Sequence, residues 1–320
     1  MLGQDDQVAA FLDAARSGRM HHAWLLAGPQ GVGKAGFAHA AARWLLADAA
    51  GPAVPRDRLN VPEDHPVSSL LDAGSHPDFK LLERLAKSNS EDLARSITVD
   101  QVRSLQPLFA TTPSLSPRRV VLIDAIDDLE RSAANALLKN LEEPPAGTIF
   151  LLVSHAPGRL LPTIRSRCRL LRFAPLESDV VRLALRRALP EADDDELDAL
   201  VGVANGAPGN ALRFAGLDIA GLDAAIEKLA THGDTSNALR TALARTLALK
   251  NAQERYEAFL ERAPTFIAAA ARTRSGEALR TALDAHDAAR NLSASALGLS
   301  LDAQGTVFEM AGLVARLATR

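Results

Sequence analysis

A chain of 320 residues, 47% of them apolar, holds enough material for two or three domains with cores of their own. Its 36 basic and 39 acidic side chains leave a formal net charge of −3, which excludes a global positive field for gathering nucleic acid, so any DNA contact has to be local or shared with partners. A single cysteine, Cys168, excludes an internal disulfide and a cysteine-cluster zinc site and fits a reducing cytoplasm; residues 1–6 carry no basic, then apolar, leader and no uncharged apolar run reaches about 18 residues, so neither a secretory signal nor a membrane span is expected.

In chain order, residues 4–17 read as a short amphipathic helix with Val8, Phe11, Leu12 and Ala15 on one face. His21 and His22 lead into an apolar strand, Ala23–Ala27, which ends at Gly28. A helix over 35–47 follows, with Phe37, Ala41, Trp44 and Leu45 inward. Residues 48–79 form a Pro-, Asp- and Gly-rich excursion with room for a short helix near Val67–Ala73. Phe79–Leu82, Val120–Ile123, Ile149–Val153 and Leu170–Phe173 are expected strands, and Val99–Phe109 and Arg131–Glu143 expected helices, the latter stopped by Pro144-Pro145. Strands alternating with helices predict a parallel α/β sheet covered on both faces. Beyond about Pro175 only helical segments appear, broken at Pro190, at Gly206-Ala207-Pro208-Gly209 and at Gly233. The expected domains are therefore 1–175, a small helical one at 176–232 and a larger helical one at 233–320.

Gly28-Pro29-Gln30-Gly31-Val32-Gly33-Lys34 reads as a phosphate-binding loop between a strand and a helix. Gly28, Gly31 and Gly33 allow a tight turn that aims backbone N–H groups at an anion, and Lys34 would reach the β and γ phosphates. The next position wants a hydroxyl for Mg²⁺, and here it is Ala35. Asp124, after the strand Val120–Ile123, matches the metal-positioning carboxylate of such sites. The water-polarising glutamate expected next is replaced by Ala125. Asp127 and Asp128, beyond the strand end, should point elsewhere. With two catalytic groups lost, hydrolysis is not expected, while nucleotide binding through Lys34 and the backbone stays open. From Gly158 to Leu176 there are five arginines and no acid. This is either a salt-bridged loop feeding a strand or the carrier of an arginine finger, a guanidinium offered to a neighbour's γ-phosphate.

Asn135–Pro145 (NALLKNLEEPP), Ser166-Arg167-Cys168, His21–Trp24 and Ser75–Asp78 together resemble the clamp-loader branch of the AAA+ ATPases, within the bacterial DNA polymerase III holoenzyme. The likeness runs over residues 1–215; beyond them only helical character agrees. It implies an AAA+ P-loop domain, a helical lid and a helical collar building a hetero-pentameric ring. Within that family the chain looks like the non-hydrolysing stator type, without independent ATPase activity and with no cofactor required. Such a stator works with tau/gamma motor subunits and a delta subunit to load the sliding clamp onto primed DNA. The resemblance assigns Arg167 as the finger acting in trans, aligns Ser154 with the motors' sensor threonine, and aligns their lid arginine near Gly209. It also makes Arg103 and Lys139 candidates for DNA-phosphate contact, although a solvated helix charge explains each equally well. Many relatives carry a four-cysteine zinc module where residues 48–76 have no cysteine. His65 and His76, near Asp64 and Asp72, read as loop histidines, and no metal is predicted. Cys168 reads as a packed thiol. The competing readings are an ATP-hydrolysing motor-type subunit or other AAA+ ATPase, and a P-loop kinase.

Overall fold

Five apolar runs become five parallel strands, and the amphipathic stretches between them become the helices that cover the sheet. The computed structural model describes residues 2–86, 93–299 and 301–318. Its elements begin with α1 (Asp5–Arg16), β1 (Ala23–Ala27), α2 (Lys34–Ala49), α3 (Pro66–Asp72) and β2 (Phe79–Glu83). Then come α4 (Val99–Arg103), α5 (Gln106–Phe109), β3 (Arg119–Asp124), α6 (Arg131–Glu142), β4 (Thr148–Ser154), α7 (Pro162–Arg165) and β5 (Arg169–Arg172). The sheet order is β2-β3-β4-β1-β5, all parallel. This is the mixed α/β, parallel-sheet architecture that the alternation of strands and helices implied.

Every residue of β1 and of β4 is buried, which explains why these strands read as unbroken apolar runs rather than alternating ones. Successive side chains enter two cores. Trp24, Leu26, Leu151 and Val153 join Phe11 of α1 and Phe37, Trp44 and Leu45 of α2 on one face. Leu25, Val121, Ile123, Phe150 and Leu152 meet Val102 of α4 and Leu137 and Leu141 of α6 on the other. Burying side chains of this size stabilises by roughly 1.5–3 kcal/mol each.

The expected helix Val99–Phe109 is two short helices instead. A capping box between Thr98 and Gln101 starts the first, which stops at Arg103, and Gln106–Phe109 follows as a separate turn. Pro107 supplies no N–H for the Arg103 carbonyl, so the helical hydrogen-bond ladder is interrupted there. The excursion at 48–76 is tied down by side-chain hydrogen bonds. His65 accepts the N–H of Val67 to cap α3 and its other ring nitrogen meets the Pro52 carbonyl at 3.2 Å, while Trp44 donates its indole N–H to the Pro55 carbonyl at 2.7 Å.

By contact density the chain divides into two units, Met1–Ala184 with Ala204–Asn210, and Leu185–Val203 with Ala211–Arg320. The helices after β5 are α8 (Ser178–Ala188), α9 (Asp194–Ala204), α10 (Pro208–Leu212), α11 (Ile219–His232), α12 (Ala238–Leu247), α13 (Gln253–Ala271), α14 (Gly276–Leu299) and α15 (Ala303–Ala315). No strand follows β5 among the described residues. Pro264 sits inside α13 and deprives the Leu260 carbonyl of its helical donor. The Ser293 hydroxyl of α14 donates to that carbonyl at 2.7 Å. No described helix is long and apolar enough to cross a membrane.

Candidate functional site

The carboxyl ends of β1, β3 and β4 bring the phosphate-type loop, Asp124 and Ser154 to one edge of the sheet, where open α/β sheets bind ligands. Ala27 pairs with Ser154, and the Gly28 N–H donates to the Ser154 carbonyl at 3.3 Å, so the loop starts beside Ser154. Lys34, the first residue of α2, is only 2% exposed. Its ammonium does not reach outward, as a phosphate-binding lysine would. It donates to the Gly28 carbonyl at 2.7 Å and to the Pro29 carbonyl. Burial pushes its pKa down from 10.5 to about 8, against the opposing pull of Asp124 and Asp127. The loop has closed around its own lysine.

Asp127 corrects the sequence reading. A 3-10 turn at Ile126–Asp128 folds it back toward β4 instead of away from the site. Its carboxylate accepts the Ser154 hydroxyl at 3.0 Å, the His155 N–H at 2.6 Å and the Ala156 N–H at 3.1 Å. Ser154, fully buried, is therefore occupied by an internal carboxylate. His155 has its pKa lowered by burial and then by the Lys34 charge, with Asp127 and Asp124 opposing, and its Nδ1 is buried without a partner.

The segment that aligns with a lid arginine rests on this loop. The Gly209 N–H donates to the Gly31 carbonyl at 2.8 Å. A Cβ on Gly209 would lie 2.8 Å from the Gly31 Cα, and a Cβ on Gly31 (φ +77°) would lie 2.5 Å from the Asn210 nitrogen. The two backbones meet where side chains would stand, so an arginine at 209 would have to part them. Sequence reasoning noted the missing arginine but not this contact, because nothing in one chain's pattern pairs residue 31 with residue 209.

Arg167 lies in the turn from α7 to β5. Its guanidinium donates to the Thr163 carbonyl at 2.8 Å and to the Ser166 hydroxyl at 3.4 Å, and pairs with Glu142 at 2.7 Å. The side chain is one-third exposed, on the molecular surface. The arginine-rich segment contains no acid of its own, but the fold supplies one from the end of α6. The signal for it lay in the Leu141-Glu142-Glu143-Pro144-Pro145 motif, whose prolines end that helix.

Arg103 pairs with Asp100 at 3.3 Å on α4, and Lys139 is exposed on α6, the helix packed beside α4. His76 accepts the Asp78 N–H, and Asp72 pairs with Arg43 of α2. Among the described residues no group of three or more His, Cys, Asp or Glu side chains could hold a metal ion. Burial pushes the Cys168 thiol up to about 12.

A family profile described as "DNA polymerase III, delta subunit" matches residues 3–177. The DNA polymerase III subunit delta' of Pseudomonas aeruginosa is 40% identical over 196 residues, 61% of this chain and 56% of that protein. The Escherichia coli K12 delta' subunit is 34% identical over 203 residues, 62% and 55% of the two chains. A gamma subunit from Buchnera aphidicola is 30% identical over 218 residues, 67% and 56%. The match thus spans little more than half the length of these relatives.

Proposed function

Because the chain belongs to the DNA polymerase III delta-subunit family, whose profile covers more than half of it, we propose that it is a delta-prime-like stator of the clamp loader. In this reading it joins tau/gamma motor subunits and a delta subunit in a hetero-pentameric ring that loads the sliding clamp onto primed DNA, in the cytoplasm. It hydrolyses no ATP itself. It offers Arg167 in trans to ATP held by an adjacent motor subunit.

The observation that supports this reading is the contrast between the loop at the carboxyl edge of the sheet and Arg167 at its amino edge, just before β5. The loop spends its lysine on its own carbonyls and is covered by backbone at Gly209. Ala35 and Ala125 lack the metal hydroxyl and the water-activating carboxylate. Arg167, by contrast, is a permanent cation at the surface with N–H groups left over for an oxyanion. Gly28, Gly31, Gly33, Lys34 and Asp124 are then a vestigial nucleotide site for which neither ATP nor ADP is required. The division into 1–175, 176–232 and 233–320 as P-loop, lid and collar domains belongs to the same proposal. So do DNA-phosphate contacts by Arg103 and Lys139, both exposed on adjacent helices where sequence-independent contact suits loading.

The test is Arg167→Ala in a reconstituted complex. Assembly should persist while DNA- and clamp-stimulated ATP hydrolysis falls. A trans arginine contributes on the order of 10³ in rate at its own site. Only one of several sites is affected, so the loss in the whole complex is partial. Unchanged hydrolysis with normal clamp loading would refute the finger role.

A further inference from the structure

An arginine that reaches across an interface does its work only if its planar group arrives in one orientation. A free side chain of this length spreads over many rotamers, and ordering it at the moment of docking opposes the very step it assists. The surroundings of Arg167 remove much of that freedom beforehand. The Thr163 carbonyl and the Ser166 hydroxyl hold one terminal nitrogen from within the same turn, and Glu142 holds the other at 2.7 Å. Five N–H donors served by three acceptors leave two for an incoming oxyanion.

The carboxylate has a firm base. Glu142 is the last residue of α6, whose preceding Leu141 is 1% exposed in the core. The Leu141 carbonyl is met by Nε2 of His22 at 3.1 Å, which ties this helix end to the start of β1. Pro144 and Pro145 stop the helix there. The carboxylate therefore stands on a helix terminus anchored to the sheet, not on a loop.

We propose that Glu142 is a positioning residue for Arg167, orienting the guanidinium before it meets the neighbouring subunit's phosphates. The inference rests on the trans-finger reading above and adds a second residue to it. The pair is part-exposed, so its influence is modest, roughly twofold to fivefold in rate.

The experiment uses the reconstituted complex with primed DNA and clamp, measuring kcat and KM for ATP. Variants are Glu142→Ala, Glu142→Gln, Arg167→Ala and the double substitution Glu142→Ala with Arg167→Ala, each checked for co-assembly. Glu142→Ala should lower kcat by about twofold to fivefold with KM for ATP unchanged. Glu142→Gln, whose amide oxygen still accepts from the guanidinium, should recover most of the rate. In the Arg167→Ala background the Glu142→Ala effect should vanish, since the two residues act as a unit. A Glu142→Ala complex that runs at or above the wild-type rate would overturn the positioning role. So would a loss of equal size with and without Arg167. If Arg167→Ala itself leaves hydrolysis unchanged, the trans-finger reading fails and takes this role down with it.

Discussion

Lys34→Met tests whether the phosphate-type loop is closed on its own lysine. Holding the ammonium in this site lowers its pKa from 10.5 to about 8, which corresponds to about 3 kcal/mol of cost to the folded state at neutral pH. Methionine fills a similar volume without charge, so that cost disappears. Against it stand two lost hydrogen bonds, to the Gly28 and Pro29 carbonyls. Gly28 is half-buried and Pro29 exposed, so both carbonyls can rehydrate and the loss is about 1 kcal/mol in total. The variant should be more stable by about 2 kcal/mol at pH 7. The sign of the pH dependence follows from the lowered pKa. The folded protein binds this proton more weakly than the unfolded chain, so the cost is full below pH 8 and fades as pH rises toward 10.5. The gap between variant and wild type should shrink accordingly over that window. Urea titration followed by tryptophan fluorescence reports on the right unit, because both tryptophans, Trp24 and Trp44, are buried in the core beside α2. Destabilisation at pH 7, or a gap that stays constant from pH 7 to 10, would refute the closed-loop account.

Ala35→Ser should restore neither ATP turnover nor an ATP-dependent rise in melting temperature, since the added hydroxyl leaves Lys34 engaged and Ala125 in place; a clear thermal shift with Mg-ATP would contradict this. Gly31→Ala combines a left-handed backbone with a methyl 2.5 Å from the Asn210 nitrogen, and should cost about 2 kcal/mol or more in the same urea titration; an unchanged midpoint would sink the packing argument. Cys168, its thiol raised from 9.0 to about 12 by burial, should carry about a thousandfold fewer thiolates at pH 8 than in the unfolded chain. Alkylation by iodoacetamide, followed by mass spectrometry, should be slower in native protein by a similar factor, and comparable rates in buffer and urea would show the thiol to be accessible.

The sheet was legible because its inner strands are buried on both faces, so Val120–Ile123 and Ile149–Val153 stand out without any knowledge of their partners. The strand–loop–helix around Lys34 was legible for a related reason: turn chemistry and apolar runs are local. Lys34's engagement with Gly28 and Pro29 was not, although only a few residues separate them, because the motif predicts a lysine facing phosphate. Asp127 was misread since a 3-10 turn redirects it by three residues, a detail no periodicity encodes. Glu142 with Arg167, His22 with Leu141 and Gly31 with Gly209 are contacts between segments far apart in sequence. They depend on how helices and loops meet at the two ends of the strands, and a single sequence holds no record of which residues those are. Pro107 was visible, yet the expectation of one helix over Val99–Phe109 gave its missing N–H no weight.

The backbone contact between Gly31 and Gly209 bears on what a nucleotide would have to displace. Readmitting a triphosphate would require Lys34 to swing out, residues 208–210 to lift, and a side chain to appear at 209, where none fits while the contact lasts. The first two are conformational changes that give up the contacts described above, and only the third needs a substitution. A substitution at Ala35 or Ala125 alone leaves the loop as it stands, because neither residue makes the contacts that cover it.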